Sequence, residues 1–173
     1  MSVPVRRIAV VVAALTMLIA ACGGTDTATT ESTAAPTTMP MAENDHDDFV
    51  FGEPADPLTA DRVIEVVASD DFRFEPAEIT VAVGETVTFR ITNAGAIPHD
   101  FTLGDEAAQA AHAEEMAEMS GMTMPDEPNA IVIAPGETKE LTWHFTQAGD
   151  LIIGCHEIGH YEAGMRAAVV VEG

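Results

Sequence analysis

The sequence predicts an all-β domain, a Greek-key β-sandwich or small barrel, and three observations carry that expectation. Seven short segments rich in β-branched and aromatic residues follow one another within residues 61–173, often with alternating apolar and polar positions. Gly84, Asn93-Ala94-Gly95, Pro135-Gly136 and Ala148-Gly149-Asp150 separate them with turn chemistry. Two stretches, VAVGETVTFRIT and VIAPGETKELTWHFT, share a strand, a Gly-Glu-Thr turn and a strand, as expected of hairpin-like corners in a Greek key. Such spacing suits a unit of about 110 residues.

In chain order the segments are RVIEVVA from Arg62, EITVAV from Glu78, ETVTFRIT from Glu85, AIVIA from Ala130, KELTWHFT from Lys139, DLIIGC from Asp150 and RAAVVVE from Arg166. In KELTWHFT, alternation sends Trp143 and Phe145 into the core and turns His144 outward. One region breaks the β pattern. DEAAQAAHAEEMAEM, Asp105 to Met119, is rich in strong helix formers and opens on acids that suit a helix N-terminus. Ser120-Gly121 ends it, and Pro125 and Pro128 lead back to a strand, so residues 105–128 read as a helical, Met-rich insertion.

The chain before residue 61 has another character. Arg6 and Arg7, an apolar run from Ile8 to Ala20, and small residues before a cysteine make residues 1–22 an export signal, too short to span a membrane. Leu18-Ile19-Ala20-Ala21-Cys22 resembles a bacterial lipoprotein box, which implies that Cys22 becomes a lipidated N-terminus; the alternative is an ordinary secretory signal. Residues 23–60, rich in Thr, Ala, Pro and acids, lack the apolar pattern needed to offset ordering entropy. They are expected to form a disordered tether spanning on the order of 30–35 Å, with His46 solvated. The product is expected to be exported and lipid-anchored to a bacterial membrane, at the periplasmic or outer face.

A formal charge of -22 excludes nucleic acid as a partner by repulsion. It suits a solvated acidic surface or docking to a basic partner protein. The chain has two cysteines; if Cys22 carries lipid, Cys155 stands alone in an oxidising compartment. A metal ion is the usual protector of such a thiol.

Cys155, His160 and Met165 fall in GCHEIGHYEAGM with the spacing C-x4-H-x4-M, in a short loop between two strands. His99, in NAGAIPHDF, also follows a strand and a turn. A thiolate and two imidazoles with a weak thioether form the donor set of a trigonal site for copper cycling between Cu(I) and Cu(II). Singly, each residue has a structural reading as buried hydrophobe, satisfied histidine or core filler. Their joint spacing favours copper. His156 adjoins Cys155, but strand alternation turns it away from the metal, and Tyr161 and Glu162 are expected at the loop surface.

TNAGAIPHDF and GCHEIGHYEAGM resemble the two ligand regions of the cupredoxins, the plastocyanin and azurin family of blue copper proteins, with a spacing most like that of rusticyanin-like members. The likeness covers about residues 61–173 and implies a sandwich of about seven or eight strands. It also implies that His99, Cys155 and His160 are equatorial ligands and Met165 the axial one. Ile158-Gly159-His160 stands where many members carry Pro-Gly-His, and the insertion after the first ligand loop is longer than in plastocyanins.

A second group of soft ligands lies in that insertion. On a helix His112, Met116 and Met119 share one face, with Met122 and Met124 just beyond. Thioethers select Cu(I), so these residues form a candidate secondary Cu(I) site; the alternative is a face that packs on the sandwich. Two functions remain open: a membrane-tethered one-electron carrier serving a redox partner protein, or a copper-handling protein that binds, delivers or confers tolerance to copper alongside a trafficking protein. An enzyme is not expected, because four filled ligand positions leave none for substrate.

Overall fold

The computed structural model describes residues 49–119 and 125–173. The signal segment with Cys22, the tether as far as residue 48 with His46, and Met122 and Met124 lie outside the described residues. Two five-stranded sheets form a sandwich. The first has the order β1-β8-β5-β2-β3, from β1 (Gly52–Pro54), β2 (Arg62–Ser69), β3 (Arg73–Glu75), β5 (Thr86–Asn93) and β8 (Thr138–Phe145). The second has the order β4-β10-β9-β6-β7, from β4 (Glu78–Ala82), β6 (His99–Gly104), β7 (Ala130–Ile133), β9 (Gly149–Gly154) and β10 (Arg166–Glu172). The pairs β2/β5 and β4/β10 are parallel and the other pairs antiparallel.

The pattern of burial follows the sequence. In β4, Ile79 and Val81 point inward, and in β10 Ala167, Val169 and Val171 do so while their neighbours face out. Phe101 of β6 meets Phe74 of β3 at 5.9 Å and Phe89 of β5 at 5.6 Å, joining the two sheets through aromatic contacts. Burying each such ring stabilises the fold by about 1.5–3 kcal/mol. Trp143 and Phe145 lie in this core, whereas His144 is half-buried and bonded to Thr86 Oγ1 at 2.9 Å.

All seven expected strands are present, and three more raise the number among the described residues to ten. Every residue of β6 is buried, so no alternation marks it, and β1 and β3 are three residues each. The Gly-Glu-Thr segments are corners but not hairpins: β4 to β5 and β7 to β8 each cross from the second sheet to the first. Gly84 and Gly136 supply the left-handed backbone there, with φ of 84° and 75°.

The folded region also begins earlier than the expected boundary at residue 61. β1 pairs with the edge of β8, and the rings of Phe49, Phe51 and Trp143 lie 5.3 Å apart in each pair. The last part of the expected tether is therefore part of the sandwich.

The insertion forms α1 (Glu106–Glu118), capped by the Asp105 side chain, which accepts the Ala108 N–H at 2.9 Å. Its buried residues are polar. Gln109 Nε2 donates to the carbonyls of Thr102 and Ile152 at 2.9 Å each, and His112 lies beside Asp100. Gly104 admits the helix closely, since a Cβ there would meet Ala108 Cβ at 2.5 Å. The helix thus sits against β6 and β9, the strands that carry the site.

Candidate metal centre

His99 opens β6, Cys155 directly follows β9, and His160 and Met165 sit in the loop from β9 to β10. The structure brings the first three together. His99 Nδ1 and Cys155 Sγ each lie 3.3 Å from His160 Nδ1, and the three donor atoms are within 4.8 Å of one another. Donors about 2.0–2.3 Å from one ion sit about 3–4 Å apart, so this spacing fits a single metal.

Met165 is buried and tied to the same residues through the backbone. Cys155 N–H donates to Met165 O at 3.2 Å, and Met165 N–H donates to His160 O at 3.0 Å. Gly159 and Gly164, at φ of 82° and 99°, supply the two left-handed turns of the loop. His160 N–H donates to Glu157 O at 2.9 Å, so the turn closes with Ile158 in place of proline.

The electrostatics suit a bound cation. Burial pushes the Cys155 thiol up to about 12, and the Asp100 carboxylate adds to the rise, while backbone N–H groups oppose it. Burial and the neighbouring His99 hold the His160 pKa below the ordinary histidine value, which leaves a neutral imidazole with a free lone pair. The thiol keeps its proton until a metal compensates the charge, and binding releases that proton. Two imidazoles and one buried, unpaired thiol fit copper.

The residues that orient these donors were not legible in the sequence. Asp70 Oδ1 accepts His99 Nε2–H at 3.3 Å, which sets the tautomer that leaves Nδ1 free, and Asp70 Oδ2 accepts the Ala96 N–H at 2.8 Å. Phe72, two residues on, places its ring 4.7 Å from His160 with φ at 58°, a conformation that costs a bulky residue about 1–2 kcal/mol. Both come from Ser69-Asp70-Asp71-Phe72, which reads as a plain polar turn. Buried Asn93 holds the His99 loop, donating to Ile97 O and Ile133 O and accepting the Gly95 N–H.

Asp100 links the two ligand loops. Its N–H donates to Cys155 Sγ at 3.3 Å, and its Oδ2 accepts the His156 N–H at 3.1 Å and the Thr102 hydroxyl at 2.9 Å. His156 turns away from the donor cluster, as alternation required. Its Nε2 bonds Gln109 Oε1 at 2.7 Å, and its ring stacks on Tyr161 at 4.6 Å. Glu162 is exposed.

The expected secondary Cu(I) cluster has different surroundings. His112 is buried among the carboxylates of Asp100, Glu115 and Glu127. Met116 and Met119 are half-buried, and Met116 lines a surface cleft with His156, Ile158 and Tyr161.

The family model for copper binding proteins of the plastocyanin/azurin family matches residues 62–172. The chain is similar to the copper-resistant cuproprotein CopI of Rubrivivax gelatinosus, at 47% identity over 73% of this chain and 76% of that protein. It is similar to the CopI of Pseudomonas aeruginosa at 39% identity, over 70% of this chain and 82% of that one. Among solved structures, auracyanin A, a blue copper protein of Chloroflexus aurantiacus, aligns with a TM-score of 0.53 and 28% identity, over 64% of this chain and 98% of its own. Copper is therefore the cofactor, and the chain belongs to the plastocyanin/azurin family of copper-binding proteins.

Proposed function

We propose that this protein is an extracytoplasmic copper-handling protein that confers tolerance to copper, holding the ion through His99, Cys155, His160 and Met165. The carrying observation is the buried His99–Cys155–His160 donor cluster in a chain whose relatives in two bacteria are copper-resistant cuproproteins. The bound ion supplies a one-electron change between Cu(I) and Cu(II). Asp70 fixes the His99 tautomer, the Asp100 N–H stabilises the thiolate of Cys155, and Phe72 and Met165 keep water away. With four donors filling the site, the protein acts by binding and not by catalytic turnover. Export and lipid anchoring through Cys22 place it where excess copper enters, and its acidic charge suits a basic trafficking partner.

A second reading, the one-electron carrier, is favoured by the likeness to auracyanin A and by Ile97 and Ile158, 38% and 83% exposed beside the two ligand loops. Such an apolar rim suits docking of a redox partner. Growth of a copper-sensitive bacterial host separates the readings. Expression of the chain should restore growth in copper, and Cys155→Ser should not; equal protection by both would contradict handling at this site. Survival unchanged by either, with loss of respiratory electron flux in Cys155→Ser alone, would favour the carrier.

A further inference from the structure

Among the described residues, His112 is the one buried histidine outside the His99–Cys155–His160 cluster. α1 carries it inward, and the segment returning to β7 brings Glu127 over it. His112 Nδ1 lies 3.1 Å from Glu127 Oε2 and 3.9 Å from Glu115 Oε2, one helical turn further along. One donor atom from each of the three residues lies within 4.8 Å of the others. The imidazole is 5% exposed, and its Nε2, 3.4 Å from Asp100 Oδ2, has no hydrogen bond. The Asp100 carboxylate stands close enough to accept that N–H after a small turn of the ring, the contact that orients metal-binding histidines, while Nδ1 faces the two glutamates.

The charge pattern points the same way. Glu115 and Glu127 approach each other over His112, and among the described residues no Lys or Arg pairs with either. Burial, together with the charge of Glu115, holds the Glu127 carboxyl above its ordinary value against the pull of His112. Two adjoining carboxylates repel each other unless a cation lies between them.

We propose that His112 Nδ1, Glu115 and Glu127 bind a second metal ion, a divalent first-row cation of which Cu(II) is held most tightly. One imidazole and two carboxylates form a harder donor set than thioethers, so it takes Cu(II) or Zn(II) in place of Cu(I). Ligand atoms about 2.0–2.2 Å from one ion lie about 3 Å apart. The His112–Glu127 pair already meets that spacing, and the Glu115 side chain, 44% exposed, is free to close the remaining gap. The site stands independently of the tolerance reading. It also places a second ion near the first centre, through His112, Asp100 and the Asp100 N–H on Cys155 Sγ.

The test starts from full-length protein already holding one equivalent of Cu(II), to which a second equivalent is added. Electron paramagnetic resonance and metal content after gel filtration are the readouts. A second, tetragonal Cu(II) signal with mixed nitrogen and oxygen coordination is expected. Its affinity should fall about tenfold or more in Glu115→Gln/Glu127→Gln and stay unchanged in Met116→Leu/Met119→Leu. The visible band of the first centre reports that each variant has folded. Glu115→Gln alone, altering a partly exposed side chain, provides the same comparison should the double variant not fold. Failure of wild type to retain a second ion, or retention unaltered by the Glu changes, would overturn the proposal and leave His112 and Glu127 as an ion pair only.

Discussion

Burial holds the Cys155 thiol at about 12, against about 8.5 for an exposed cysteine. In protein stripped of metal, the unfolded chain therefore loses this proton at a lower pH than the folded one. Stability is complete below about pH 8.5 and falls as pH rises toward 12, by up to about 1.4 kcal/mol per unit. Urea unfolding between pH 8 and 10.5 should show metal-free wild type losing stability relative to Cys155→Ser, and parallel profiles would contradict the buried thiol. Asp70→Asn removes the carboxylate that faces His99 Nε2–H, so copper affinity should fall about tenfold while the visible band persists. Competition with a copper chelator measures this, and an unchanged affinity would reduce Asp70 to a loop anchor for Ala96. The candidate ligands were legible because C-x4-H-x4-M and a histidine after a turn have few other chemical uses, and three of them, His99, Cys155 and His160, meet in one cluster. Asp70 was not, because its partner His99 is 29 residues away in sequence and nothing local in a polar turn marks that contact.

At the scale of elements, alternation exposed the strands with one solvated face, β4 and β10 above all. It failed for β6, where all six residues are buried and the pattern vanishes. Composition revealed α1, but its docking was hidden because Gln109 and His112, not an apolar stripe, make the attachment. Gln109→Ala takes the Nε2 donor from the buried Thr102 carbonyl and the part-buried Ile152 carbonyl, at a cost of about 1–3 kcal/mol for the buried one. Amide exchange should then quicken across α1 while β5 stays protected; equal protection of α1 would show that other contacts hold the helix. Burial alone would lower the His112 pKa, yet the Asp100 carboxylate, with Glu127 beyond it, outweighs burial and holds it above the ordinary histidine value. That contribution to stability is complete below about pH 6.5 and is lost as pH rises through the raised folded value. The stability difference between metal-free wild type and His112→Gln should therefore shrink from pH 6 to pH 9. A difference constant over that range would mean that His112 contributes by packing alone.

Across the whole molecule, one end of the sandwich collects donors from distant parts of the chain. The β2–β3 turn brings Asp70 and Phe72, β6 brings His99 and Asp100, and the β9–β10 loop brings Cys155, His160 and Met165. Strand pairing fixes these loops on a rigid frame, which suits copper in both valence states because neither requires large rearrangement. The fold class and copper were legible from strand spacing and two motifs. The extension of the domain back to Phe49 was not, since β1 is too short to show a period and its docking depends on rings that meet Trp143 in space. The central claim is that His99, Cys155, His160 and Met165 hold one copper ion in a trigonal site of two imidazoles and one thiolate with a weak thioether. The most direct measurement is the visible spectrum of the purified protein with one equivalent of Cu(II), compared with Cys155→Ser. An intense thiolate-to-copper band at about 600 nm, absent from Cys155→Ser, is expected; a colourless copper complex, or a band that survives the substitution, would contradict it.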